Sequence, residues 1–382
     1  MTTSQPKRRA AGTAPQDFMF DAIPPRVLDG MASAADLPKV LGILAPVGYG
    51  KTVLMTTLFS RLVARAAPCL WCTLDYRHNT TAHLLTLLEE LVYGHAERMH
   101  PTQALFRGDD SIDLRIDRLI ETARSDPAPL TIFIDNLNHC RDDALPLLLD
   151  RLVFEAPASL HFVISSSTAL PLDVTRAKLR GLIRQITYRE LCFSPEEVSR
   201  LLGDRLCALI GPQGVDVITH KTEGWPAAVR MIQIILDAAD NPQAELARFS
   251  GSDEDIAAFL NREVLSSLPA DVRKFLFSIA PLRTLSAELI RAATGYDEAE
   301  HYFSLLLHIN AFIIPLDRSH TWYRLHALFR EYLLKESRKL ASSASREQTL
   351  IKAAGWCEKE GYWREAIEYA LDANAGETAS AI

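Results

Sequence analysis

Gly48, Tyr49, Gly50, Lys51 and Thr52 follow one another in the stretch LGILAPVGYGKT, with an apolar run before them and a helical pattern after. That setting suits a phosphate chain. Backbone N–H groups at a helix N-terminus point inward at an anion, and glycines let the backbone approach closely. Lys51 adds a positive charge for the β- and γ-phosphates, and the Thr52 hydroxyl is placed to bind Mg²⁺. The loop opens on Ala45 instead of glycine, which is acceptable as long as φ there stays negative, because this position only begins the turn. A second stretch, LTIFID, ends a buried run on Asp135 about 80 residues later, where a carboxylate can hold the Mg²⁺ shell opposite Thr52. The expected nucleotide contacts are Ala45, Pro46, Val47, Gly48, Tyr49, Gly50, Lys51, Thr52 and Val53, with Lys51 and Asp135 as the catalytic pair and Thr52 and Asp135 as the Mg²⁺ ligands.

Asn136 comes directly after Asp135. Many ATPases place a carboxylate there to polarise the attacking water, and an amide cannot take a proton at neutral pH, so slow turnover is expected. Asp142 or Asp143 is an alternative source of that carboxylate, but both read as acids matched to a helix N-terminus. Cys69 and Cys72 form C-x-x-C in PCLWCTLD, but strand alternation sends them to opposite faces and no second Cys/His pair is near. All six cysteines read as reduced core residues.

The elements that must carry these groups alternate. KVLGILA, CLWCTLD, LTIFID and LHFVISS are short apolar runs separated by helical patterns, the form of a parallel α/β sheet. Leu54, Leu58 and Leu62 mark one face of a helix over 53–65, and Ile112, Ile116, Leu119 and Ile120 mark another. Residues 94–110 lack periodicity and read as a surface loop. From FSPEEVSRLL onward the chain turns helical: Ser194, Pro195 and Glu197 make a capping box with proline in the first turn. Gly224 and Pro226 interrupt the helices, the next running over about 226–239. NAFIIPLDRSHTWYRLH gives two apolar-alternating segments around a polar turn, and helices closed by such a hairpin suggest a winged helix. The tail from 347 reads as two helices broken near Gly361, one hairpin of a repeat array.

The 382 residues, 48% of them hydrophobic, support two or three domains with real cores and exclude a disordered chain. No run of about 18 apolar residues occurs, and MTTSQPKRRAAGTAPQDF has no apolar segment after its basic residues, so a cytoplasmic protein without membrane contact is expected. A net charge of −7 disfavours binding to DNA through the overall field, and the Lys7, Arg8, Arg9 cluster reads as a solvated tail.

Taken in order, five stretches resemble the MalT-like branch of the STAND ATPases, the signalling NTPases of LuxR-family bacterial regulators. LAPVGYGKTVL is similar to (S/A)PAGYGKTTL, and WCTLD, FSPEEVSRLL, TEGWPAAV and FIIPLDRSHTWYRLHALFREYLL each match a family segment, over about residues 22–375. The opening alanine is thus a family feature. The resemblance implies a tail (1–21), a P-loop nucleotide-binding domain (22–193), a helical domain (194–250), a winged-helix domain (251–340) and the start of a TPR-like helical-repeat sensor (341–382). It implies ADP held at rest, exchange for ATP on binding of an inducer or regulatory protein to the repeat region, self-association in the ATP state, and DNA contact only through a domain absent from this chain. It assigns His326, in YRLH, to the ADP β-phosphate, and Trp225 with Pro226 to the adenine side, packing being the other reading of the tryptophan. Asn136 and Asn138 replace the Asp and His of the family's DDYH, and Ser167 stands where relatives carry an arginine. Three functions stay open: a slow ATPase switch, a nucleotide-dependent interaction module that does not hydrolyse, and a P-loop kinase, which lacks an acceptor-site acid or an arginine-rich lid.

Overall fold

The computed structural model describes residues 22–373 apart from 30, 32–35, 76, 78, 79, 100–110, 127, 309–311, 318, 341 and 342, together with 14, 15 and 18. The Lys7, Arg8, Arg9 cluster lies outside the described residues. The chain divides into two compact units, one of residues 1–45 and 49–191, the other of 46–48 and 192–382. The front of the phosphate loop therefore groups with the second unit.

In the first unit the elements run β1 (Val40–Leu44), α1 (Lys51–Val63), β2 (Cys69–Thr73), α2 (Thr81–Met99), α3 (Ile112–Ser125), β3 (Leu130–Asp135), α4 (Leu145–Phe154), β4 (Leu160–Ser166), α5 (Val174–Leu179), β5 (Ile183–Thr187) and α6 (Tyr188–Leu191). The strands form one parallel sheet in the order β2-β3-β4-β1-β5. Both faces are covered, which is why the central strands read as continuous apolar runs. On one face Leu70, Cys72, Ile132, Ile134, Phe162 and Ile164 join the buried residues of α2, α3 and α4. On the other, Trp71 stacks on Phe133 with centroids 5.5 Å apart, and Phe59 of α1 meets both rings edge-on. Cys72 thus lies on the opposite face from Cys69, and burial pushes both thiols up to about 12, so they stay protonated.

Two readings of this half are corrected. Residues 94–99 continue α2 and are not loop, while 100–110 fall outside the described residues. The sequence also concealed β5, because this edge strand is mostly half-exposed and its Ile-Arg-Gln-Ile-Thr run is neither continuously apolar nor strictly alternating.

The second unit runs α7 (Pro195–Thr222), α8 (Pro226–Ala238), α9 (Pro242–Arg248), α10 (Glu254–Glu263), α11 (Ala270–Ile279), α12 (Ala287–Thr294), α13 (Ala299–His308), β6 (Ile313–Pro315), β7 (Tyr323–Leu325), α14 (Ala327–Leu340), α15 (Ser343–Lys359) and α16 (Trp363–Asp372). The capping box at Ser194 and Glu197 is formed in both directions. The α7 segment is bent at Gly203 and Gly211, whose φ of 75° and 69° no helix interior adopts. Strands β6 and β7 pair antiparallel, and Leu285 adds a bridge to Tyr323 on the other side, giving the small sheet of a winged helix. Tyr369 of α16 accepts from Arg283 and Thr284 N–H through its hydroxyl, fastening the last hairpin to the loop before α12.

Gly251 shows how tight this unit is. An added Cβ would lie 2.0 Å from the Leu328 carbonyl oxygen. Gly251→Ala is expected to destabilise the protein by about 1 to 3 kcal/mol, seen as a lowered midpoint of thermal unfolding. An unchanged midpoint would show that α14 gives way freely there.

Candidate functional site

Strand register builds the site. Ile134 stands opposite Ile164 and Ile43 opposite Ser165, so the ends of β3, β4 and β1 lie in one row. Asp135, 1% exposed, closes β3 and takes the Ser165 hydroxyl proton in a hydrogen bond from the neighbouring strand. Its carboxylate also accepts from Thr52 Oγ1, at 3.1 Å to one oxygen and 3.4 Å to the other. A hydroxyl beside a buried carboxylate is the hard oxygen pair that Mg²⁺ prefers, so the residues fit the ion expected of them.

Lys51, at the start of α1, is 8% exposed and donates from Nζ to the Ala45 carbonyl at 2.8 Å. Burial brings its ammonium down to about 8, against the attraction of Asp135. An arriving anion would favour the charged form, so the residue fits a phosphate. Gly48 and Gly50 have φ of 80° and 77°, which glycine alone adopts cheaply, while Ala45 is not among the residues with positive φ. Tyr49 packs edge-on against Tyr188.

Beyond β3, Asn136 also takes a left-handed conformation, φ 62°, and its N–H donates to Ser165 Oγ at 2.8 Å. Two of the three positions singled out in the sequence meet: Asn138 Oδ1 accepts from Ser167 N–H at 3.1 Å. Asp142 caps a helix other than its own, accepting from Thr81 N–H at the start of α2 and from Ala144 N–H. Both of its oxygens are thus engaged with backbone N–H groups.

His326 and Trp225 share the interior of the second unit. Trp225 is fully buried, packs on Phe259, Phe312 and His326, and donates from Nε1 to the Val47 carbonyl at 3.3 Å. Pro226 begins α8 next to it. His326 Nε2 lies 3.0 Å from the Thr222 carbonyl, which can only accept, so Nε2 carries the proton. Nδ1 is buried with no hydrogen-bond partner. Burial lowers the His326 pKa against the pull of Glu223 and the Thr222 carbonyl. Glu223 receives both arms of Arg324, at 2.7 and 2.8 Å. Burial alone would raise the Glu223 carboxyl, but the Arg324 fork, the His326 ring and Ala327 N–H outweigh it and hold the group below its usual range.

Ser165, Glu223 and Arg324 join the site without having been expected from the sequence. Ser165 carried a weak signal, the point where the apolar Phe162–Ile164 run of β4 gives way to serines. Glu223 and Arg324 had none, since 101 residues separate them and each looks like a surface charge.

A five-stranded parallel sheet with a glycine loop between β1 and α1, a lysine in that loop and an acid closing β3 defines a P-loop NTPase fold. Residues 261–346 match the model of the MalT winged helix domain, and residues 30–167 that of the nephrocystin 3 N-terminal region. The chain is 25% identical over 353 residues to the serine/threonine-protein kinase PknK of Mycobacterium tuberculosis, covering 90% of this chain and 31% of that protein. It is likewise 25% identical over 354 residues to the HTH-type transcriptional regulator MalT of Yersinia enterocolitica, covering 91% of this chain and 38% of that one. The chain is similar to these proteins along most of its own length, carries a MalT-type winged helix, and spans about a third of the length of these curated relatives. Among solved structures, the Aeropyrum pernix ORC2 protein aligns at 16% identity over 82% of this chain and 90% of that chain, with a TM-score of 0.44. A STAND protein with a tetratricopeptide repeat sensor from Pyrococcus horikoshii aligns at 16% identity over 95% and 49%, with a TM-score of 0.39.

The row at the sheet's end makes its own prediction. Asp135→Ala removes the acceptor of two hydroxyls and the charge that favours the ammonium of Lys51, and is expected to cost on the order of 2 to 4 kcal/mol in urea unfolding. Asp135→Asn keeps an acceptor oxygen and should cost less. Equal losses would mean that the stability comes from the charge and that the retained acceptor oxygen contributes little.

Proposed function

We propose that this chain binds ATP and ADP with Mg²⁺ and is the switch core of a MalT-like transcriptional regulator. The observation that carries this reading is the buried ammonium of Lys51 beside Asp135, at a loop whose two glycines are left-handed. A charge so placed has little water to stabilise it and is suited to an anion. The nucleotide contacts are residues 45–53, Lys51 and Asp135 acting on the phosphates; Thr52 and Asp135 hold Mg²⁺, which when bound neutralises phosphate charge. Pro226 lies at the adenine side. The domains are those expected from the sequence: 22–193 for nucleotide, 194–250 helical, 251–340 winged helix and 341–382 the start of a repeat sensor, after a tail of 1–21. Self-association in the ATP state, an inducer or regulatory protein at the repeat region and a cytoplasmic location complete the proposal. Contact with DNA is assigned to no residue of this chain. Among the described residues no helix is long and apolar enough to cross a membrane.

Hydrolysis is slow in this reading, since Asn136 offers no base and the Asn138 amide is engaged with Ser167 N–H. The same two features support the second reading, a nucleotide-dependent interaction module without turnover. Recovery of all ATP intact after long incubation with the wild type would favour that module, and accumulation of ADP the slow ATPase.

The binding test is Lys51→Ala. Affinity for ATP, measured by calorimetry, is expected to fall at least tenfold, about 1.4 kcal/mol. An unchanged dissociation constant would remove the lysine from the site.

His326 is the proposed contact to the ADP β-phosphate. With its proton on Nε2, the neutral ring shows a lone pair at Nδ1 and would repel an anion, so donation there requires a second proton, which a phosphate's charge favours. His326→Ala is expected to speed release of a fluorescent ADP analogue about tenfold or more in stopped flow, as a charge-assisted hydrogen bond of about 1.5 to 3 kcal/mol implies. Release at the wild-type rate would leave the histidine as packing for Trp225.

A further inference from the structure

The segment Thr222–Ala227 makes hydrogen bonds in two directions inside the second unit. Toward the loop, Trp225 Nε1–H donates to the Val47 carbonyl at 3.3 Å and Ala227 N–H to the Gly48 carbonyl at 3.1 Å. Toward β7 and α14, the Glu223 carboxylate accepts both arms of Arg324 and, at 2.9 Å, the N–H of Ala327, while the Thr222 carbonyl accepts from His326. Only Gly224 lies between the residue that holds the winged helix and the one that holds the loop.

That short link is stiff. Glu223 has φ 51° and ψ 29°, the left-handed region that a β-carbon disfavours. Gly224 follows at φ 71° and is crowded, since an added Cβ would meet the Phe193 carbonyl at 2.5 Å. The reversal that turns α7 into α8 thus passes through a residue with no intrinsic preference for it, held from its side-chain end by Arg324 and Ala327. The far side is as confined: at Gly48 an added Cβ would lie 2.7 Å from Trp225 Nε1 and 2.8 Å from Ala227 Cβ. Close packing on both sides of the link leaves little room for a displacement of the carboxylate to be absorbed before it reaches the loop.

We infer that Glu223 is a positioning residue: through its ion pair with Arg324, strand β7 of the winged helix sets where the Val47 and Gly48 carbonyls stand, and thereby regulates the shape of the phosphate loop. Its consequence for nucleotide rests on the function proposed above; the mechanical link does not. An acid that merely finished α7 and anchored the hairpin would leave the loop indifferent to its loss.

The experiment compares wild type with Glu223→Gln, which keeps size and one acceptor oxygen but loses the charge, by hydrogen–deuterium exchange on nucleotide-free full-length chain. Faster exchange is expected in two separated segments, 322–332 and 44–54, with β3 and β4 unchanged. Faster exchange in 322–332 alone, or in neither, overturns the inference. If Glu223→Gln loosens the whole molecule, Arg324→Lys decides: it keeps the charge but not the fork, and a smaller rise confined to the same two segments is expected, whereas a rise confined to 322–332 overturns the link. A second arm follows release of a fluorescent ADP analogue, expected to be about fivefold faster or more in Glu223→Gln, the lower range of ordinary coupling between sites. Wild-type release with a loosened 44–54 segment overturns the regulatory part. Absence of nucleotide binding to the wild type would sink the proposed function while leaving the exchange result to stand or fall alone.

Discussion

Lys51 and Asp135 are both nearly excluded from water, and a charge in that position must be answered by protein groups or by a ligand. Much of the first unit's sheet is arranged to supply those answers. The parallel register of β3, β4 and β1 carries Asp135, Ser165 and the loop into one row, and only that register does so, since a shift of one residue would turn Ser165 into the opposite layer. Trp71, Phe59 and Phe133 pack beneath on one face while α2, α3 and α4 cover the other, so the strands have no freedom to slide. The glycine loop then needs only two left-handed residues to bring Lys51 over Asp135.

The second unit is organised around a different constraint, a sharp turn between α7 and α8 that has to present polar groups on both sides. Hydrophobic packing fixes its middle, where Trp225 meets Phe259, Phe312 and His326. Hydrogen bonds and one ion pair fix its ends. The resulting cluster holds a histidine whose ring is kept neutral by burial and oriented by a carbonyl, an arrangement whose charge depends on what approaches Nδ1. Farther along, Arg283, Tyr369 and Asp372 tie α16 to the loop before α12, and Leu285 on that loop pairs with Tyr323 of β7. The C-terminal hairpin and the wing are thus parts of one hydrogen-bonded framework.

Much of this was legible in the chain. Four of the five strands announced themselves as apolar runs because they are buried on both faces, and the phosphate loop was readable because its chemistry lies in consecutive residues. The edge strand β5 was hidden by its half-exposed, mixed pattern, and α2 continued past Gly94 although apolar periodicity fades there. Ser165 and the Glu223–Arg324 pair could not be found from spacing, since what makes them matter is tertiary: a neighbour's register in one case and a partner 101 residues away in the other. The tryptophan of TEGWP is fully buried among aromatic rings of the second unit, an environment that spacing alone does not reveal.

The space where Gly48 lacks a side chain is filled by the Trp225 indole and the Ala227 methyl, residues almost 180 positions away. Descent must therefore treat these sites as a set. A lineage that enlarges position 48 has to shrink 225 or 227 and still carry the strain of a left-handed φ, and one that trades the indole for a smaller ring leaves a void over the loop that another side chain must occupy. Substitutions at the three positions should accordingly be correlated across homologues, and a chimera that joins the loop of one relative to the α7–α8 turn of another will inherit a misfit even when each piece is sound by itself.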